Sequence, residues 1–106
     1  MSTKSNELLD ALDATKSIWK NMTFGGLVRS LRLSDELTQV ELAKKLEVSK
    51  QFLSDVENGR KDVGIPFAKK VADALEYSVE PLVELLIRDQ LRKQNLDYIV
   101  ELRRAS

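Results

Sequence analysis

The chain has neither cysteine nor histidine among its 106 residues. Without cysteine there is no disulfide framework, no thiol nucleophile and no thiolate metal site. Without histidine the commonest general base is missing, along with every Ser-His or Cys-His pairing and the commonest ligand for zinc or copper. No Asp-x-Asp-x-Asp-Gly calcium spacing is present, and no glycine-rich phosphate loop. The expectation is a protein that is not an enzyme and that uses no metal and no cofactor.

Long apolar runs are missing too: none approaches the ~20 residues that cross a membrane. The N-terminal stretch "MSTKSNELLDALD" carries acids where a signal peptide carries an apolar core. A cytoplasmic protein with no membrane partner is expected. Net charge is also absent, 17 basic residues balancing 17 acidic ones. A neutral chain exerts no long-range pull on phosphate. Residues 24–75 hold nine Lys or Arg against eight Asp or Glu. Any binding to nucleic acid must therefore come from local placement of charge.

What the sequence does contain is helix. Residues 5–19 place Leu8, Leu9 and Leu12 on one face, with Ser5 as a cap. In "NMTFGGLVRSLRL", Phe24, Leu27, Val28 and Leu31 recur at helical spacing behind Thr23. "LTQVELAKKLEV" opens with Thr38 and Glu41 in capping-box spacing and turns Leu42, Ala43 and Leu46 inward. Only Glu47, Val48 and Ser49 separate it from "KQFLSDVE", which has Ser49 as its cap and Gly59 just past its end. Two short helices joined so tightly must cross steeply, and Ala43 is small enough to let their axes approach. "IPFAKKVADAL" gives a further helix with Pro66 in its first turn and Ala68, Val71, Ala72 and Leu75 inside. "SVEPLVELLIRDQL" gives another, capped by Ser78.

In this last helix the apolar positions Val83, Leu85, Leu86, Ile87 and Leu91 cover roughly 240° of circumference, against the ~100° a surface helix needs. Part of that arc is expected to be covered by a second molecule. The tail "NLDYIVELRRAS" has two readings. Leu96, Tyr98, Val100 and Leu102 alternate with polar neighbours as a strand does, while Leu91, Asn95, Tyr98, Ile99 and Leu102 fit a helical stripe. The strand is the favoured reading, and a lone strand must pair with another chain. A homodimer is expected, with Val83, Ile87, Leu91, Tyr98 and Val100 at its interface.

The two capped helices and their tight turn fit the helix-turn-helix plan. Residues 24–86 resemble the DNA-binding domain of the phage-repressor and Cro family, the Xre-like regulators. The likeness is carried by "LTQVELAKKLEVSKQFLSDVENGRK" followed by "VADALEYSVEPLVELL". It implies an all-α, five-helix lambda-repressor-like domain over residues 23–91, flanked by an N-terminal helical extension (1–22) and a C-terminal dimerisation tail (92–106). Two departures stand out, because the family often has glycine where this chain has Glu36 and Glu47.

The resemblance also implies roles. Lys50 and Gln51 occupy the base-reading positions at the start of the recognition helix, and Ser54 and Asp55 lie one turn further along. Lysine suits guanine, glutamine suits adenine, and an aspartate accepts from cytosine. Gln39, Asn58, Arg60 and Lys61 would hold the DNA backbone, with Gln39 also bracing the reading helix. Lys44 and Lys45 read more simply as solvated charges, and Glu57 as a structural partner at the helix end. The expected function is a dimeric, sequence-specific repressor on a palindromic operator in double-stranded DNA. Small proteins of this kind with extensions at both ends also resemble antitoxins of the HigA kind, which adds a toxin protein as a partner. A protein-interaction module that uses the same scaffold without DNA is the competing reading, and the neutral charge is its best support.

Overall fold

Helix α1, Phe24–Ser34, begins where Thr23 can cap it: the Thr23 hydroxyl accepts from the Gly26 N–H at 3.0 Å. Helix α2, Gln39–Leu46, carries the full capping box. The Thr38 hydroxyl accepts from the Glu41 N–H at 3.1 Å, and the Glu41 carboxylate accepts from the Thr38 N–H at 2.9 Å. Helix α3, Lys50–Glu57, is capped by Ser49, whose hydroxyl accepts from the Phe52 N–H. Each of these caps satisfies a donor that the helix itself leaves unpaired.

Helix α4, Ile65–Leu75, starts behind Gly64 with Pro66 in its first turn, and α5 spans Val79–Lys93. Ser78 holds the position before α5, but its hydroxyl makes no capping bond. The Glu80 carboxylate accepts a first-turn N–H there, which together with Arg104 lowers its pKa below the ordinary 4.5. These five helices come from a computed structural model describing residues 21–105, and among the described residues there is no strand. The helix expected over residues 5–19 lies outside that range.

Each of these five helices closes in the same way. An N–H one or two residues past the cap turns back to a carbonyl inside the last turn: Leu37 to Arg32, Val48 to Ala43, Arg60 to Asp55, Tyr77 to Ala72 and Leu96 to Leu91, all within 2.8–3.0 Å. This closure requires a left-handed residue immediately before the donor. Gly59 supplies one with φ 75°, but the others are Glu36, Glu47, Glu76 and Asn95, with φ between 51° and 60°. The two departures from the family pattern, Glu36 and Glu47, thus occupy the backbone conformation that glycine would adopt without strain.

One core joins the helices. Val28 from α1, Leu42 and Leu46 from α2, Leu53 from α3, Val71 from α4 and Leu82 from α5 are fully or almost fully excluded from solvent. Leu75, expected inside, is half-buried. Helix α5 differs from expectation. Leu82, Val83, Leu85 and Leu86 are all buried within their own chain. The reason is that α5 packs against both α4 and α1, so two neighbours share its wide apolar arc.

The tail is not a strand within one chain, nor does it continue the helix. Asn95 at φ 60° turns the backbone, and residues 96–105 run irregularly back along α5. Near its end the Leu102 N–H reaches Glu84 at 3.4 Å, and the Arg104 guanidinium reaches Glu80 at 3.3 Å. A lone strand has nothing to pair with inside a single chain.

Candidate DNA interface

Helix α3 has two sides with different chemistry. Leu53 and Val56 are buried, while Lys50 and Gln51 stand exposed at its N-terminal end. Ser54 and Asp55, half-buried, lie on the following turn. The Gln51 amide donates to Asp55 Oδ1 at 2.9 Å, and the same oxygen lies 3.7 Å from the Arg60 guanidinium. The predicted base-reading residues are therefore gathered on one face. Phe52, ambiguous in sequence, packs on Phe67 with ring centroids 5.7 Å apart, and the Lys61 ammonium sits 5.3 Å from its ring. Phe52 serves packing, and Lys61 is partly anchored by a cation–π contact.

Asn58 is exposed at the C-terminal end of α3. Its amide nitrogen donates back to the Ser54 carbonyl at 2.8 Å, closing the end of α3. Arg60 stays exposed beyond it, as do Lys44 and Lys45 on the last turn of α2. Gln39 opens α2 and donates through Nε2 to Glu57 Oε1 at 3.1 Å, so it ties α2 to the far end of α3. That is the bracing the resemblance implies. The Glu41 carboxylate, held by its two bonds with Thr38, is kept below its ordinary pKa of 4.5 and puts negative charge on the same turn.

Of the residues that hold α3 in place, Gln39 and Glu57 are anticipated by the sequence reading, whereas Arg32 and Gly25 are not. Glu57 was read as structural, and it accepts from Arg32 through two bonds, Nε to Oε2 at 2.8 Å and Nη2 to Oε1 at 3.0 Å. A third guanidinium nitrogen donates to the Leu37 carbonyl at 2.9 Å. One signal was available: Arg32 lies four residues after Val28, in line with the inward stripe of α1. Gly25 was also missed. An added Cβ there would sit 2.2 Å from the Val56 carbonyl oxygen, so α1 crosses the end of α3 at backbone contact.

Below this crossing, Asp89 of α5 accepts from the Phe24 N–H at 2.8 Å, giving α1 a second cap from a distant helix. Burial raises the pKa of its carboxyl above the ordinary 3.8, opposed by that bond and by Arg92, Lys93 and Arg88. Asp89 lines an open cleft of about 260 Å³ with Phe24, Val56, Leu86 and Lys93, and Lys93 pairs with Asp62 at its edge. Among the described residues no cluster of carboxylates has the makings of a metal site, and no helix is long and apolar enough to cross a membrane.

The residues named for a dimer interface are spread more widely. Val83 is buried in its own core, whereas Ile87, Leu91 and Val100 are half-buried. Tyr98 is 60% exposed, and its neighbour Ile99 is 86% exposed.

Residues 28–82, just over half of the chain, match a family described as helix-turn-helix. Two relatives come from Bacillus phage phi105. The chain is 34% identical over 76 residues to a protein named "Immunity repressor protein", covering 70% of this chain and 53% of the relative. It is 47% identical over 36 residues to "ImmF control region 10 kDa protein", covering 34% of this chain and 40% of the relative. The chain thus spans about half the length, or less, of the curated relatives it matches. No solved structure matches. With its capped α2, tight turn and braced α3, the chain belongs to the Xre-like family of DNA-binding helix-turn-helix regulators, the phage-repressor and Cro type.

Proposed function

We propose that the chain is a transcriptional repressor that binds a two-fold symmetric operator as a dimer, with α3 of each copy in the major groove. The observation that carries this reading is the exposed polar end of α3, Lys50 and Gln51, on a helix whose other end is clamped by Arg32, Gln39 and Glu57. Folding requires no polar side chains of those types at an exposed helix start. A rigid helix with its N-terminal half turned outward is the form that reads base edges. Arg60, Lys61, Lys44 and Lys45 supply local positive charge that the zero net charge conceals. The name of the phage relative points to repression in the same way.

One recognition helix covers too little DNA for useful affinity. Two copies about 34–36 Å apart meet successive major-groove faces. Tyr98, Ile99 and Leu96 leave apolar surface exposed on the tail, Ile87 and Leu91 of α5 are only half-buried, and a second copy would cover them. The narrower antitoxin reading keeps the same DNA-binding surface and adds a toxin bound through the extensions. The interaction-module reading discards the DNA.

The test is an anisotropy titration of the full chain against DNA upstream of its own gene, at several salt concentrations, with shuffled DNA as competitor. The repressor reading expects sequence-selective binding and a steep salt dependence. Arg60→Ala should weaken all sequences alike and reduce the salt slope by about 1, whereas Gln51→Ala should relax one position only. Light scattering tests the dimer: deleting residues 96–106 should halve the mass. Binding with no preference over shuffled DNA at any salt would favour the interaction module.

A further inference from the structure

The free amide of a glutamine can present either its oxygen or its nitrogen to a base, so glutamine alone is a permissive reader. Gln51 does not have that freedom. Its Nε2 donates to Asp55 Oδ1 at 2.9 Å, one turn along α3. A carboxylate only accepts, so the flipped amide would set two oxygens against each other. The orientation follows from the chemistry of the pair. Asp55 is partly buried, its side chain 29% exposed, and its Oδ1 lies 3.7 Å from the exposed Arg60 guanidinium.

We propose that Asp55 is a positioning residue that restricts Gln51 to adenine, rather than a reader of cytosine. With one N–H given to Asp55, the amide keeps one N–H and its Oε1 for the groove. This donor beside an acceptor complements adenine N7 and N6-amine. Guanine presents two acceptors there, N7 and O6, and the locked Oε1 meets one of them unfavourably. Discrimination thus comes from a repulsive element as well as an attractive one. The carboxylate has a second effect. It places negative charge close to the DNA, which lowers affinity for every sequence while widening the difference between right and wrong ones.

This proposal rests on the reading that α3 enters the major groove, and the two can fail separately. The experiment is enrichment of DNA duplexes from a random pool by the full-length wild-type chain and by Gln51→Ala, Asp55→Ala and Asp55→Asn. Anisotropy then measures each chain on adenine and guanine versions of the enriched site. Wild type should favour adenine by about tenfold or more at the position that Gln51→Ala relaxes. Asp55→Ala should bring that ratio within about threefold at the same position and bind shuffled DNA more tightly. Asp55→Asn keeps the shape, but its amide can donate as well as accept, so it releases the lock and should lose most of the preference, as Asp55→Ala does. A purely structural role would move none of these ratios.

The positioning role is overturned if Asp55→Ala relaxes a different position, which would make Asp55 a reader. It is equally overturned if the adenine preference survives in Asp55→Ala, or if the Gln51-dependent position is not adenine. Enrichment of no sequence by wild type would overturn the groove reading itself, and this proposal with it.

Discussion

Arg32 and Glu57 lie 25 residues apart in sequence and meet as a two-bonded ion pair, Nε to Oε2 at 2.8 Å and Nη2 to Oε1 at 3.0 Å, with side chains only 8% and 2% exposed. The pair joins α1 to the end of α3, and Gln39 adds α2 to the same carboxylate. Removing one partner leaves the other buried and uncompensated. Arg32→Ala and Glu57→Ala should each cost about 3–5 kcal/mol, while Arg32→Met with Glu57→Leu should cost far less than their sum. Urea denaturation of the four chains checks this. Gln39→Ala should cost about 1 kcal/mol, because Arg32 still satisfies Glu57.

The same pair marks the boundary of what the sequence reveals. Caps such as Thr38 with Glu41, or Ser49, act within three residues, so their chemistry can be read along the chain. The polar end of α3 is legible for a similar reason, because Leu53 and Val56 fix which side faces inward. A charged pair across 25 residues has no local signature, and an arginine on a helix ordinarily reads as solvated. The breadth of the apolar arc of α5 was legible but not its cause. Width alone does not distinguish a second chain from α1 and α4 of the same chain. The tail shows the converse, since its strand-like alternation becomes a strand only if an edge is offered to it.

Three glutamates close helices in a conformation that favours glycine: Glu36, Glu47 and Glu76, at φ 57°, 58° and 51°. The left-handed region costs an ordinary residue about 1–2 kcal/mol, part of which glycine returns through its freer unfolded chain. Glu36→Gly, Glu47→Gly and Glu76→Gly should each raise stability by about 0.5–1 kcal/mol, and should add when combined. Thermal melts of the single and triple variants test this. Substitution by alanine at the same positions removes the charge without relieving the backbone and should give no comparable gain.

Adjacent glycines should behave in opposite ways. At Gly25 an added Cβ meets the Val56 carbonyl at 2.2 Å and the Glu57 carbonyl at 2.8 Å, both backbone atoms that cannot move aside independently. Gly25→Ala should push α1 off the end of α3 and cost about 3 kcal/mol or more. At Gly26 the nearest atom is the Thr23 hydroxyl at 3.1 Å, the end of a movable side chain. Gly26→Ala should stay within about 1 kcal/mol of wild type, because the gain in helix propensity offsets a small shift of the cap. Denaturation midpoints of the two variants should separate clearly, and DNA affinity should fall only for Gly25→Ala.

Asp89 and Glu41 respond to acid in opposite senses. The Glu41 pKa is lowered from 4.5 mainly by its bonds with Thr38, so its contribution is present above 4.5 and is lost as pH falls through the folded value. The Asp89 pKa is raised from 3.8 by burial, so the stability linked to it is present below 3.8 and is lost as pH rises through the folded value. When ionised, Asp89 is a partly desolvated anion kept in place by the Phe24 N–H and nearby cations. Asp89→Asn retains a carbonyl acceptor for that N–H and removes the buried charge. It should be more stable than wild type at pH 7, with the advantage shrinking as the pH is lowered toward 3.8. Glu41→Gln keeps a capping acceptor and should show a flatter loss of stability below pH 4.5. Urea midpoints between pH 3 and pH 7 for the three chains test both signs, and an Asp89→Asn advantage that grows on acidification would show that the neighbouring cations outweigh burial at this carboxyl.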